Sequence, residues 1–287
     1  MKKSRFKNIL IGFAFSPNLK ANVFEAIRLA ASLEGSLYFL HVGDRTSFKE
    51  KTFNEILNES PISPKKIHTL WELGNPVEVI IKQCVKNNIN LLLLGALQRE
   101  NMVKFYLGSI ARKITRNSPC SVLLLIKPSI DYIAAQHMVV NAFKSPYTEN
   151  TITAAFEFAK ALEILKITLV EEISRSKVAE TAEDDKGLRL VTQRKKEIQQ
   201  EEHSRVKEII GRIPDNFKIN KTITSQSIFG ARGYSIGHYA KIVRADLLVI
   251  NAENKRSSFW ARVFPKDLEH ILSELPTNVL IIQPENK

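Results

Sequence analysis

LLLLGALQRENMVKFYLGSIARKITRNSPCSVLLLI, residues 91–126, opens with four leucines and a glycine. A polar loop follows, then Gly-Ser at the head of a basic helical stretch, then a second apolar run after Ser-Pro-Cys. Four consecutive leucines are too apolar for a strand with one wet face, so the run reads as a strand covered on both sides. Strand, loop, helix and strand in that order make a crossover unit of a parallel sheet, which is right-handed. Ligands of such sheets sit beyond the carboxyl ends of the strands, at the point where the strand order reverses. Gly95 leaves that end.

Working outward, the chain repeats itself. NILIGFAFSP (8–17) and HMVVNAFKSP (137–146) are strand-like runs ending in Ser-Pro, each followed by a helical pattern with apolar residues at three-and-four spacing. The short apolar runs SLYFLHV (36–42) and ILKITLVEEI (164–173) come next. ELGNPVEVIIKQCVKNNINLLLLG (72–95) aligns with IFGARGYSIGHYAKIVRADLLVIN (228–251) without a gap, and both halves close with a proline and a last apolar strand. The Ser-Pro pairs are offset by 129 residues and the later pairs by 156, so the second half holds 27 more residues between its first and third strands. That material is a mixed-charge, helix-favouring stretch near 171–212, with Leu188, Val191, Ile198, Val206, Ile209 and Ile210 apolar. It reads as a solvent-facing helix over one end of the sheet, or as a partner-binding arm.

Each half therefore alternates five strands with helices, which predicts an α/β fold of two tandem domains, 1–130 and 131–287. Each domain is expected to be a five-stranded parallel sheet with helices on both faces.

A loop between a strand and a helix N-terminus suits an anion, because unpaired N–H groups and the helix dipole both face it. Gly95 lets backbone approach a ligand, and Gly108 can supply an unusual dihedral. Ser109 can cap the helix that begins at Ile110 and reach a phosphate with its hydroxyl. Arg99 and Lys104 add charge within the loop. The plainer alternative is that Gly108-Ser109 only starts a helix.

Gly95-x2-Gln98-x9-Gly108-Ser109, placed after the fourth strand, resembles the universal stress protein signature Gly-x2-Gly-x9-Gly-Ser/Thr. The resemblance also takes in NILIGFAFSPN and ELGNP, and with weaker motifs the second half. It implies a Rossmann-like fold, similar to the adenine nucleotide alpha hydrolases, with strand order 3-2-1-4-5 in each domain. It further implies that the fifth strands, Val122 to Ile126 and Val279 to Ile282, face each other across an internal pseudo-dimer. The implied ligand is ATP or another adenine nucleotide, held by Gly95, Gln98, Arg99, Lys104, Gly108, Ser109 and Ile110, with the family's nucleoside-binding Asp falling on Ala14. Gln98 replaces the middle glycine, and in the second half Asn251, Asn254 and Phe264-Pro265 replace the whole set. Proline has no N–H for a phosphate, so the second site is expected to be closed. At the first, loss of a charge-assisted hydrogen bond is worth about 1.5–3 kcal/mol, or roughly tenfold to a hundredfold in affinity. A left-handed Gln98 would oppose binding by a further ~1–2 kcal/mol. The expectation is a non-enzymatic stress-response protein with at most one weak nucleotide site, or a nucleotide-free interaction protein.

Composition sets the remaining bounds. The 287 residues are 44% apolar and 25% charged, which suits a globular protein of about two domains. No apolar run approaches the roughly 20 residues of a membrane span. MKKSRFKNILIGFAFSPN reads as a buried first strand rather than a leader, and the chain as cytoplasmic. Cys84 and Cys120 are too few for a disulfide framework, and the six histidines stand singly, so no metal is expected. The net charge of +12 divides as +10 in residues 1–130 and +2 in 131–287, yet without arginine-rich tracts or aromatic-basic interleaving it does not point to nucleic acid. No phosphate-binding Gly-x4-Gly-Lys, Gly-x-Ser-x-Gly elbow or His-Glu-x2-His helix is present, which leaves weak ATP hydrolysis as the residual enzymatic reading.

Overall fold

The structure is a computed structural model that describes residues 5–62, 66–98, 105–174, 177, 184–252 and 266–284. In the first half, strands β1 (Asn8–Phe13), β2 (Ser36–Val42), β3 (Lys66–Glu72), β4 (Leu91–Gly95) and β7 (Ser121–Leu125) alternate with helices α1 (Leu19–Ser32), α2 (Ser47–Asn58), α3 (Pro76–Lys86) and α4 (Ser109–Asn117). Two short strands, β5 (Leu97–Gln98) and β6 (Phe105–Tyr106), lie between β4 and α4. The second half carries β8 (His137–Asn141), β9 (Lys166–Ile173), β10 (Thr222–Phe229), β11 (Leu247–Asn251) and β12 (Asn278–Ile282). Its helices are α5 (Thr148–Ala161), α6 (Asp185–Arg212), α7 (Tyr234–Ile242) and α8 (Lys266–Ser273).

Local chemistry sets the boundaries. Asn75 caps α3 by accepting from the N–H of Val77 (3.0 Å) and Glu78, with Pro76 preset for the first helical position. The Asp184 carboxylate caps α6 through Gly187 N–H at 2.6 Å. The residue just before each fourth strand anchors the start of its neighbour. Asn90 Oδ1 accepts from Asn8 N–H at 3.0 Å, and Asp246 Oδ2 accepts from Gln136 and His137 N–H at 2.8 and 2.9 Å.

The ten long strands form one sheet, in the order β10-β9-β8-β11-β12-β7-β4-β1-β2-β3. This corrects the expectation of two separate five-stranded sheets. β7 and β12 pair antiparallel, with Leu123 opposite Leu280 and Val279 opposite Leu124, whereas the other neighbours in the sheet run parallel. The cause lies in the strands: β7 is buried along its whole length and β12 from Val279 onward. An apolar edge strand left open would offer unpaired backbone to any other chain, and mutual pairing removes both edges.

The seam is reinforced at each end. Ile126 N–H donates to Asn278 Oδ1 (2.9 Å), and Gln283 N–H donates to Ser121 Oγ (3.2 Å). Glu269 of α8 pairs with Arg112 (2.7 Å) and Arg116 of α4. Phe6 meets Phe158 edge-to-face, with ring centres 5.4 Å apart. Side chains alternate between two apolar layers, and both layers run across the seam. Leu123 and Leu280 belong to one, Val122 and Ile281 to the other.

Part of the added residues of the second half lies in α6, which stands between β9 and β10 as α2 stands between β2 and β3, with 28 residues against 12. Its later turns bury Ile198, Val206 and Ile209, while Leu188 is 56% exposed.

Leu280→Ala should lower the unfolding free energy by about 2–5 kcal/mol, read as the shift in urea midpoint, because the seam core cannot collapse around the void. His137 gives a pH prediction. It is buried against Thr168 Oγ1 (2.8 Å), and burial, with Lys166 nearby, holds its pKa below the ordinary 6.5. The unfolded chain therefore takes up the proton first, so stability is full above 6.5 and declines as pH falls towards the depressed folded value. His137→Gln should remove that part of the decline in urea titrations at successive pH values.

Candidate functional site

The carboxyl ends of the strands form one rim, and the two halves furnish it differently. In the first half β1 ends at Phe13, and Ala14 follows, exposed. Gly95 ends β4, and the next residue is fixed by Ala96 N–H donating to Leu125 O at 2.8 Å. β1 and β4 are neighbours, so Ala14 and Gly95 flank the switch point. Asn22, in the first turns of α1, reaches the same place. Its Nδ2 donates to Asn18 O at 3.0 Å, while its Oδ1 is buried without a partner. A Cβ on Gly95 would stand 3.6 Å from that oxygen, an ordinary contact. Gly95 therefore lies against an unsatisfied acceptor. Nothing in the sequence around Asn22 marked it.

The loop itself departs from expectation. Gln98 is not left-handed: its backbone lies in β5, paired with Phe105 of β6. The loop is thus a two-stranded hairpin, and Arg99 and Lys104 lie outside the described residues. Its second limb is tied to the other half. Leu107 N–H donates to Leu272 O at 3.3 Å, and Leu275 N–H donates to Phe105 O at 3.0 Å. Gly108 has φ −62° and ψ 161°, a conformation open to any residue, so its expected unusual dihedral is absent. Gly108 is also the N-cap, and Ser109 is the first residue of α4, exposed beside Ile110; the expected cap at Ser109 is corrected by one position. Among the described residues no backbone carbonyl accepts from the N–H of Ser109, Ile110 or Ala111, so the helix end faces outward.

On the β1–β3 side of the rim, Phe13, His41 and Trp71 form a row in register across β1, β2 and β3. Their rings interlock at 5.1–6.1 Å, Phe53 stacks on Phe13 at 4.4 Å, and Phe15 lies over Trp71 at 6.2 Å. His41 Nδ1 bonds to Phe13 O at 3.1 Å, and its buried Nε2 has no partner. Where the family pattern places an aspartate, this half presents Ala14 and aromatic faces.

The second half closes its rim with its own charges. The position level with His41 is Glu171, whose carboxylate accepts from Ser225 and Ser227 hydroxyls at 2.6 Å each. Glu172 accepts from Gly233 N–H (3.0 Å) and Ile236 N–H (2.9 Å), so a side chain occupies the anion position at the start of α7. Gly233 makes this reachable with φ +75°, a left-handed turn that favours glycine. Arg232 lies 3.6 Å over the ring of Phe143, the counterpart of Ala14. Asn251 donates to Ser145 Oγ at 3.0 Å across the switch point. Asn254, Phe264 and Pro265 lie outside the described residues. Among the described residues no three His, Cys, Asp or Glu side chains gather as a metal site, and no helix is long and apolar enough to cross a membrane.

Comparison with known proteins agrees with this architecture. The model of the universal stress protein family matches residues 5–125. A universal stress protein of Methanocaldococcus jannaschii is 25% identical over 122 residues, covering 36% of this chain and 72% of that protein. Over the whole length the likeness is one of fold. A functionally unknown protein of Pseudomonas aeruginosa superposes with TM-score 0.66 at 15% identity, covering 98% of this chain and 93% of its own. A universal stress protein of Archaeoglobus fulgidus superposes with TM-score 0.61 at 15% identity, covering 97% of each chain.

Glu172→Ala strips two buried N–H groups of their acceptor. It should cost about 1–3 kcal/mol in chemical denaturation, with the loss centred on α7 in amide exchange.

Proposed function

We propose, from the match of residues 5–125 to the universal stress protein family, that this chain is a non-enzymatic stress-response binding protein of that family with one weak adenine-nucleotide site. In this reading 1–130 and 131–287 are two such units, joined through β7 and β12 as an internal pseudo-dimer. The site lies in the first half, between Ala14, Gly95 and the head of α4.

The carrying observation is the orphaned acceptor of Asn22 in front of Gly95. A ribose hydroxyl is a donor that satisfies it, and a buried acceptor gains most from a partner that comes with the ligand. The outward-facing N–H groups at Ser109, Ile110 and Ala111 suit phosphate oxygens. With Ala14 in place of a carboxylate and the Phe15 and Trp71 rings crowding the base side, affinity is low, on the order of millimolar. Gln98, Arg99 and Lys104 remain proposed contacts through the hairpin.

The second reading is a nucleotide-free interaction protein. It draws on the tie between the hairpin limb and α8, and on the exposed first turns of α6 as a surface. Calorimetric titration with ATP and with AMP separates the two. Binding near millimolar, weakened about tenfold in Asn22→Ala, supports the nucleotide reading. Absence of heat at millimolar ligand, with protein that releases no nucleotide on denaturation, leaves the interaction reading.

A further inference from the structure

The two edges of the ten-stranded sheet are not alike. At β10 the Ser227 carbonyl accepts from Gln226 Nε2 at 3.0 Å, and Gln199, Gln200 and His203 of α6 line a groove along the strand. β3, at the other end of the strand order, pairs only with β2, and its residues Lys66 to Thr69 are exposed. Gly43 N–H donates to Glu72 O at 2.8 Å, which fixes the direction of the peptide groups along the strand. Glu72, Leu70 and His68 turn their N–H and C=O towards β2, so Trp71, Thr69 and Ile67 turn theirs to the open edge.

We propose that the open edge of β3 is a docking surface for a second copy of this chain, paired antiparallel about a twofold axis at Thr69. Such an interface uses the same strand on both sides, so the strand must complement itself. KIHTLWE (66–72) does so in this register. Lys66 meets the partner's Glu72, Ile67 the partner's Trp71, His68 the partner's Leu70, and Thr69 the partner's Thr69. Opposite charges, a β-branched residue against an aromatic one, and Thr against Thr are each favourable cross-strand pairs. The backbone agrees with the side chains. Because Ile67, Thr69 and Trp71 face outward, the Thr69 pair and the two Ile67–Trp71 pairs are the hydrogen-bonded ones, each exchanging two N–H···O bonds. Centring on His68 or Leu70 instead keeps two such pairs within the strand and separates Lys66 from Glu72.

Two of the contacting side chains are already held in place. Glu72 accepts from Gln83 Nε2 at 2.6 Å, and the Trp71 ring rests between His41 (5.1 Å) and Phe15 (6.2 Å). Pairing therefore orders little that is not ordered beforehand. Ile67, 39% exposed, gains cover opposite the partner's Trp71. Seven residues a side make a small interface, so the dimer should dissociate on the order of 100 micromolar. The proposal is independent of the nucleotide reading.

Sedimentation equilibrium of the full chain from micromolar to millimolar concentration, with amide exchange at both ends of that range, tests it. The expected result is a monomer–dimer equilibrium in which the N–H groups of Ile67, Thr69 and Trp71 slow with concentration. Those of His68, Leu70 and Glu72, already turned to β2, should change little. Thr69→Pro removes an outward N–H that no internal ladder bond uses, so it should keep the fold and weaken the dimer at least about tenfold. Lys66→Glu and Glu72→Lys should each repel themselves, yet a mixture of the two should dimerise, because opposite charges meet again at both ends. A chain still monomeric at millimolar concentration, a dimer that Thr69→Pro leaves intact, or slowing that spares these three N–H groups each overturns the proposal. A charge-variant mixture that stays monomeric overturns the register. Should a variant fail to fold, the wild-type exchange pattern decides alone.

Discussion

The antiparallel contact between β7 and β12 governs this molecule. Each of these strands has both faces covered by apolar side chains, and each has a parallel neighbour on only one edge within its own half. Without the other, each would expose a row of backbone donors and acceptors lined by leucine, isoleucine and valine. Pairing converts two liabilities into the centre of a ten-stranded sheet. It also sets constraints elsewhere, because α4 and α8 are drawn together over the seam. Their contact is held by Glu269 between Arg112 and Arg116, and by the bonds from Leu107 and Leu275.

The rim shows how duplication lets equivalent positions diverge once the scaffold is secure. Phe13, His41 and Trp71 occupy one row of the first half; Glu171 and Ser227 occupy the matching places of the second. The first solution buries aromatic surface and leaves two polar atoms, Asn22 Oδ1 and His41 Nε2, without partners. The second pairs its acceptors, Glu171 with two serines and Glu172 with two backbone N–H groups, and leaves a donor, Asn150 Nδ2 in the first turn of α5, without a partner. An unpaired buried acceptor costs more than a paired one, so it persists most readily where something else supplies the partner. That asymmetry places the binding reading in the first half.

Much of this was legible in the residues. The repeat between the two halves located their first, second, fourth and fifth strands and the helical insertion that became α6. The separate sheets were misjudged because edge pairing is a tertiary event with no local signature. The extended backbone of Gln98 was not legible, because the short β5–β6 pairing that fixes it, and the contact of Phe105 with Leu275, leave no mark in a motif alignment. The aromatic row and Asn22 needed strand register and a helix position that no spacing in the chain discloses.

The hairpin is where fold and function compete. A loop that wraps phosphate must be free to bring its N–H groups to the ligand, and such loops come from the less stable parts of a protein. Here the limb from Phe105 to Leu107 carries hydrogen bonds to Leu272 and Leu275, and Phe105 and Leu107 are buried. Movement there would break contacts between the halves. The limb from Gly95 to Gln98 is tied to β7 through Ala96 and to β6 through Leu97 and Gln98, while Gly95 is open to solvent. Ligand contact is therefore mechanically easiest at Gly95 and Asn22 and at the fixed head of α4. In the nucleotide reading the rigidity of the limb from Phe105 to Leu107 keeps affinity low, because binding energy cannot be recovered by closing the loop over the ligand.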